Sequence, residues 1–458
     1  MVRIQQIVFC LVLAVGMSAN AASTNSITWH RASGTVDADV QGEALLPLLG
    51  QIAADTGWRV YVEPGTTKAV SAGFKGLSSN EALRMLFGDL NFTLSPQTNG
   101  PAELYVFSTV IQKATQLVKA TKPLVHHVAN QLLIKLKPGA NIDAIAKLVG
   151  AKVIGRNDKM GIYQLQFADA AATEAALGQL QNNSDVQAVD YNYVYDPPPA
   201  AQSLSGQSPP QGPVSLTLDP QTPNDPCDVV VGLIDTPIQS LGNSLDGFIL
   251  KPISVTGDTT SAATADTTTL THATGMAQTI LRAIGTSGGG GTSARILPVD
   301  VYGSNPTTTS WDVALGVQAA INNGANILNM SLGSSGDSLV LDSVIQQTIA
   351  AGIPIFAAAG NDGVSTPQYP AADPGVNAVT ALQSATRLAS YADYGNYVDM
   401  ALPGGSVVYM GNQPFLMQGT SVSTAYATGL ATGTKSSNCG GWPGIVGGLT
   451  KSYPVPAN

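Results

Sequence analysis

Asp235, His272 and Ser421 supply a carboxylate, an imidazole and a hydroxyl in that order along the chain. A hydroxyl is a poor nucleophile until a base takes its proton, and the base needs a carboxylate to fix its tautomer. Together the three types point to nucleophilic hydrolysis through a covalent intermediate. Each also has an ordinary structural reading. An aspartate after VVVGLI commonly forms a turn, and a serine opening a helix commonly caps it. His272 tips the balance, because it is the only histidine after position 127. An imidazole working in the C-terminal half is therefore this one, and a His-rich zinc site is excluded there. A fourth residue, Asn361, follows the apolar run IPIFAA in Ala359-Gly360-Asn361-Asp362-Gly363. Beside Ser421, its amide would donate to the oxygen that turns negative during acyl transfer.

The elements that must hold these groups are legible as apolar runs. Val229–Ile234, Ile327–Met330 and Ile353–Ala357 are continuous, as buried parallel strands require. Met276, Ala277, Ile280, Leu281 and Ile284 recur at helical spacing and predict an amphipathic helix opened by His272. Strand–helix alternation predicts a doubly wound, mostly parallel α/β sheet, whose function gathers at the carboxyl ends of the strands. Ser421 precedes the small-residue helix VSTAYATGLA, close to its N-terminal dipoles.

Two small α+β domains precede this sheet. Residues 23–110 read as strand, helix, strand, strand, helix, strand, with Ser78 and Glu81 spaced for a capping box. After a linker over 111–126, residues 127–196 repeat the theme. Leu132, Ile134 and Leu136 alternate with Leu133, Lys135 and Lys137 as in a half-buried strand, and helices fall at Ile142–Val149 and Thr173–Leu180. A Pro/Ser/Gln-rich linker over 197–226 is the natural place for a maturation cut, and the last domain fills 227–458.

Residues 1–22 carry Arg3, an apolar middle from Ile7 to Met17 and the small-residue site Ala19-Asn20-Ala21. That is an export signal, which puts the chain in the periplasm or outside the cell. No later stretch is apolar enough to span a bilayer. With Cys10 removed, Cys227 and Cys439 remain in an oxidising compartment, and a disulfide between them is expected. A net charge of −9 argues against nucleic acid as a partner.

Three resemblances follow from the residues. The blocks VVVGLIDT, HATGMA, GANILNMSLG, IPIFAAAGNDG, YPAADPGVNAVTA, YADYGNYVDMALPG and GTSVSTAYATGLA resemble, in order, those of subtilisin-like serine peptidases from Val229 to Thr432. The segment NQLLIKLKPGA…VQAVDYNYVYD resembles the propeptide of that family, which acts as an intramolecular inhibitor. LLPLLGQIAADTGWRVYVEP…NFTLS is similar to the short N-terminal domain of secretins and TonB-dependent receptors, which implies contact with an envelope protein. The peptidase likeness implies an endopeptidase acting on proteins or peptides with no cofactor in its chemistry. It also implies that Ser331, Leu332 and Gly333 form an edge for substrate backbone. Ala358, Ala359 and Gly360 would line the pocket for the residue before the cut bond. Tyr369-Pro370 would be a cis peptide there, and Gln368, where the family often has Gly, would narrow the pocket or make its floor polar. Structural calcium is common in the family, but its loops are not recognisable here, so the sequence assigns no metal. Pro237, Ala273 and Ala425 depart from the family pattern without removing a catalytic atom.

Rival readings fare worse. Gly285-Thr286-Ser287-Gly288-Gly289 matches the G-x-S-x-G pattern of esterases, but a helix precedes it and no histidine follows position 272. Sedolisins use a glutamate as base, and residues 225–458 contain none. An inactive, peptide-binding relative or envelope adaptor is the alternative from a different class, and a digestion assay separates it from an enzyme.

Overall fold

The computed structural model describes residues 26–30, 35–96, 102–119, 126–206, 212–221, 225–240, 242–257, 269–287 and 291–456. The export signal assigned to residues 1–22 lies outside them. The first unit holds β1 (Ser26–His30), β2 (Thr35–Ala44), α1 (Leu45–Thr56), β3 (Arg59–Val62), β4 (Ala69–Ser78), α2 (Ser79–Phe87), β5 (Asn91–Ser95), β6 (Glu103–Phe107) and β7 (Gln116–Leu117). Two sheets, β1-β2-β4 and β5-β6-β3-β7, enclose a core that includes Leu48, Leu49, Ile52, Leu83 and Phe87. Ser78 and Glu81 form the expected capping box at α2. The strand count exceeds the sequence reading. The added strands satisfy their backbone groups on neighbours, β1 on β2, β6 on β5 and β7 on β3, and their short apolar patterns alone give no strong signal.

The second unit runs β8 (His127–Leu136), α3 (Ile142–Leu148), β9 (Lys152–Asn157), β10 (Ile162–Gln166), α4 (Ala170–Leu180) and β11 (Val186–Tyr195). Its sheet has the order β11-β8-β10-β9. Leu132 and Ile134 face α3 and α4. The other face was expected to meet solvent, but Leu133 and Lys135 are buried as well. Leu133, Ile162 and Tyr195 belong to a core shared with the next unit, whose helices cover that face.

β12 (Gln202–Ser203) and β13 (Thr217–Leu218) lead into the C-terminal unit. That unit comprises β14 (Val230–Asp235), β15 (Ile253–Ser254), α5 (His272–Ser287), β16 (Gly291–Thr292), β17 (Arg295–Asp300), β18 (Thr308–Thr309), α6 (Ser310–Asn322), β19 (Ile327–Met330), α7 (Leu339–Ala350), β20 (Ile355–Ala358), β21 (Asn377–Ser384), β22 (Arg387–Leu388), β23 (Met400–Pro403), β24 (Gly405–Met410), β25 (Gln413–Gln418), α8 (Thr420–Asn438) and α9 (Trp442–Ser452). The main sheet is β15-β17-β14-β19-β20-β21-β22, with β23 also on β21, and every pair is parallel except β21 with β22. From β14 the chain builds β17 on one side and then crosses to β19 on the other. That reversal is a switch point, where the carboxyl ends of strands open a crevice.

β14 is buried on both faces, and successive side chains join different cores. Val231 and Leu233 pack with α5 and α8, whereas Ile234 packs with α6. The face expected for α5 is buried, but so is nearly all of that helix from His272 to Ile284. The reason is α8, which lies directly against it. A Cβ on Gly429 would strike the Ile280 carbonyl and Ala283, and one on Gly433 would strike Ser287. Only residues without side chains let the two backbones come this close. Cys227 and Cys439 form the expected disulfide, with their Cα atoms 4.5 Å apart, tying the start of the unit to the end of α8. Among the described residues no helix is long and apolar enough to cross a membrane.

Candidate active site

β14 ends on Asp235, so its carboxylate emerges at the carboxyl edge of the sheet. His272 is the first residue of α5, and the Thr236 hydroxyl holds that end in place by accepting the Ala273 N–H at 3.0 Å. The imidazole Nδ1–H donates to both Asp235 oxygens at 2.8 Å. Both side chains are buried, at 4% and 2% exposure. Thr236 N–H donates to Asp235 Oδ1 at 2.7 Å and fixes the carboxylate plane. With Nδ1 committed to Asp235, Nε2 is the nitrogen left to accept a proton.

Ser421 is the second residue of α8, after Gly419, whose φ of 142° suits glycine alone. Its Oγ donates to the Ser331 carbonyl at 3.2 Å, and Ser331 Oγ donates back to the Ser421 carbonyl at 3.2 Å. Ser331 follows β19, so these bonds pin the start of α8 to the sheet's carboxyl edge. Among the described residues no hydrogen bond joins Ser421 to His272. Catalytic hydrogen bonds are often unformed before substrate binds, and a hydroxyl turns about a single torsion.

Asn361 lies just past β20. Its Oδ1 accepts the Thr420 N–H at 2.8 Å and the Thr420 hydroxyl at 3.1 Å. A backbone N–H bonds only to an acceptor, so this contact fixes which end of the amide is oxygen and leaves Nδ2 as the donating end. The bonded neighbour of Ser421 thereby orients Asn361.

Ser421 and Asn361 line one cleft of about 740 Å³, together with Ser331, Leu332, Gly333 and Gln368. Ala358 and Gly360 line it too. Ala359 does not. It is fully buried, because successive residues of an extended chain face opposite ways, and its carbonyl accepts the Tyr397 hydroxyl at 2.9 Å. Ser331–Gly333 is an unpaired segment here, and the neighbouring Ser334 bridges to Tyr369. Tyr369-Pro370 is cis, as expected. Gln368 stands between the two walls, its Cβ beside Gly333 and its Cγ beside Gly360.

Part of the cleft is walled by the segment that leaves β11. Pro197, Pro198 and Pro199 line the cleft, followed by Ala200 and Ala201. This strap is tied at one end by Val194 and Tyr195 pairing with Thr309 and Thr308, and at the other by Gln202 and Ser203 pairing with Leu416 and Phe415. Trp29 and Gln51 of the first unit also reach the cleft. Asp225 lies near Cys227 and Cys439, but both sulfurs are in the disulfide and hold no metal. Ser287 of the esterase-like pattern ends α5, so a helix precedes it where that motif needs a strand.

Residues 227–449 match the Subtilase family, and residues 113–192 match the fervidolysin N-terminal prodomain. The C-terminal unit is a subtilase domain. The chain is similar to the thermophilic serine proteinase of Bacillus sp. (strain AK1), 27% identical over 322 residues, covering 67% of this chain and 77% of that protein. The thermostable alkaline protease of Halalkalibacterium halodurans is 36% identical over 168 residues, 36% of this chain and 46% of its own length. The crystal structure of fervidolysin from Fervidobacterium pennivorans, a keratinolytic enzyme related to subtilisin, shares the fold with a TM-score of 0.51 at 18% identity. That likeness covers 67% of this chain and 54% of fervidolysin. The subtilase domain thus follows a prodomain, and the chain spans about half the length of the last two relatives.

Sequence reasoning missed Thr420 and Thr236, which orient Asn361 and the start of α5. Both adjoin site residues in the sequence, but a threonine at the end of an element carries no signal of its own. Ser331 was expected only as a substrate edge, and its carbonyl also holds the Ser421 hydroxyl.

Proposed function

We propose that this chain is the precursor of an exported serine endopeptidase. The observation that carries the reading is the buried Asp235–His272 pair, bonded through Nδ1, at the carboxyl edge that also bears Ser421 and Asn361. His272 Nε2 takes the Ser421 proton as the hydroxyl attacks the scissile carbonyl. Asp235 holds the tautomer and stabilises the imidazolium that forms. Asn361 Nδ2 and the Ser421 N–H donate to the tetrahedral oxyanion. The proton then passes from His272 to the leaving amine, and water, activated by the same imidazole, releases the acyl group.

The precursor restrains itself. The prodomain sheet covers α6 and α7, and the chain leaves it as the strap across the cleft. Pro197, Pro198 and Pro199 have no N–H, so the strap lacks donors that a substrate strand would give to the Ser331–Gly333 edge. The strap lines the cleft without such pairing, which favours a maturation cut farther along the linker, between Ser205 and Cys227. Trp29 and Gln51 add the first unit to the cover. Export of the chain agrees with a disulfide between Cys227 and Cys439.

Purified precursor, nicked in the linker, should digest casein and take up a fluorophosphonate at Ser421. Ser421→Ala should do neither, and should stay uncut in a host without other proteases. A correctly folded chain that neither digests protein nor labels would instead be a peptide-binding adaptor.

A further inference from the structure

Asn361 sits in a loop without ladder hydrogen bonds, yet an oxyanion donor must be held in place before the charge develops. One buried side chain outside the triad grips that loop on both sides. Asp393, between β22 and β23, is fully buried. Its Oδ1 accepts the N–H groups of Asp362 and Val364 at 2.9 Å each. Its own N–H donates to the Gly360 carbonyl at 3.0 Å. Its Oδ2 lies against Gly360, at the place a Cβ would occupy. Gly360 has φ of 116°, so this glycine answers both to its backbone angle and to the carboxylate beside it. Asp393 is itself anchored by the Thr380 hydroxyl, which donates to its carbonyl at 2.5 Å. A second strut comes from the same segment, where the Tyr391 carbonyl accepts the Gly363 N–H at 2.7 Å.

The bonds fall on residues 360, 362 and 364 and leave out Asn361 itself. Thr420 fixes the amide oxygen of Asn361, and Asp393 fixes the backbone before and after it. Burying a carboxylate is costly unless charge-assisted hydrogen bonds compensate, and here the compensating donors are the loop's own amides. We propose that Asp393 is a positioning residue that holds loop 360–364 so that Asn361 Nδ2 stays aimed at the oxyanion. It acts through Asn361 and touches no substrate. This inference rests on the peptidase reading above.

The test is a double-mutant cycle on matured enzyme with a peptide substrate. Asp393→Ala should lower kcat by about tenfold or more with KM nearly unchanged, because the loss is confined to the transition state. Asn361→Ala combined with Asp393→Ala should be no slower than Asn361→Ala alone. Asp393→Asn, which keeps a carbonyl acceptor at Oδ1, should recover most of the rate. If Asp393→Ala does not accumulate as folded protein, Asp393→Ser enters the same cycle. Additive losses of the two substitutions would overturn the proposal, as would a variant that loses thermal stability while the surviving enzyme keeps its kcat. An active wild type with additive losses sinks this inference alone. A wild type that neither cuts nor labels at Ser421 sinks the peptidase reading and this inference with it.

Discussion

A carboxylate bonded to one imidazole nitrogen decides which nitrogen is free to work. In Asp235→Asn the amide would offer its N–H to Nδ1, stabilising the tautomer whose proton sits on Nε2. The geometry would survive and the base would be lost, so kcat should fall by about 10³–10⁴ with little change in fold. Steady-state kinetics beside circular dichroism checks both halves. Specificity also has a single-residue handle. Gln368 stands between Gly333 and Gly360 in the cleft, where the proposed peptidase would take the residue before the cut bond. Gln368→Gly should shift preference from small toward large apolar residues, by roughly 10-fold or more in kcat/KM if several methylenes become accommodated. A series of chromogenic peptides differing only at that residue reads the change.

At the level of elements, the site depends on two helices whose first turns carry His272 and Ser421. Their spacing is set where α5 and α8 pack backbone to backbone. In Gly429→Val the new side chain would meet the Ile280 carbonyl, which belongs to a helix backbone and cannot rotate away. Overpacking of this kind costs about 1–3 kcal/mol, which lowers Tm by roughly 3–10 °C for a unit of this size. Thermal unfolding of the Ser421→Ala background, free of self-digestion, measures it. A Tm equal to the parent would mean the helices slide apart without strain.

For the whole molecule, the contact between prodomain and subtilase domain carries its own pH dependence. Asp190 of β11 is buried there, and its Oδ2 accepts the Val340 N–H at 3.2 Å at the start of α7. Burial pushes its carboxyl up to about 7, against the pull of hydrogen bonds from Val340, Ser338 and Leu339, and nearby Asp337 adds repulsion. Docked Asp190 therefore keeps its proton up to a higher pH than it would when exposed. Its contribution to docking is complete below the ordinary aspartate range and is lost as pH rises through about 7. Linker-cut protein should retain its prodomain at pH about 5 and release it more readily at pH about 8. Asp190→Asn should flatten that difference in gel filtration. An unchanged pH profile in the variant would show that other groups govern release.

Much of this molecule is written locally. The apolar runs of β14, β19 and β20 and the Ser78–Glu81 capping box each depend on residues within a few positions of one another. Periodicity and propensity act over that range, so these features are readable from the chain. The half-buried strand at Leu132–Leu136 and the one-sided helix at Met276–Ile284 are different. Each is amphipathic by sequence and buried all round in the structure, because a partner from far along the chain covers its second face. The same distance hides Asp393, which in YADYG reads as one more loop aspartate. The chain alone determined which groups could do chemistry and where the longer helices and the apolar strands run. Only the tertiary structure decided which carboxylate holds loop 360–364, which carbonyl holds Ser421 and what lines the cleft. Hydrogen bonds and packing act over a few ångströms, and those ångströms separate residues tens to hundreds of positions apart.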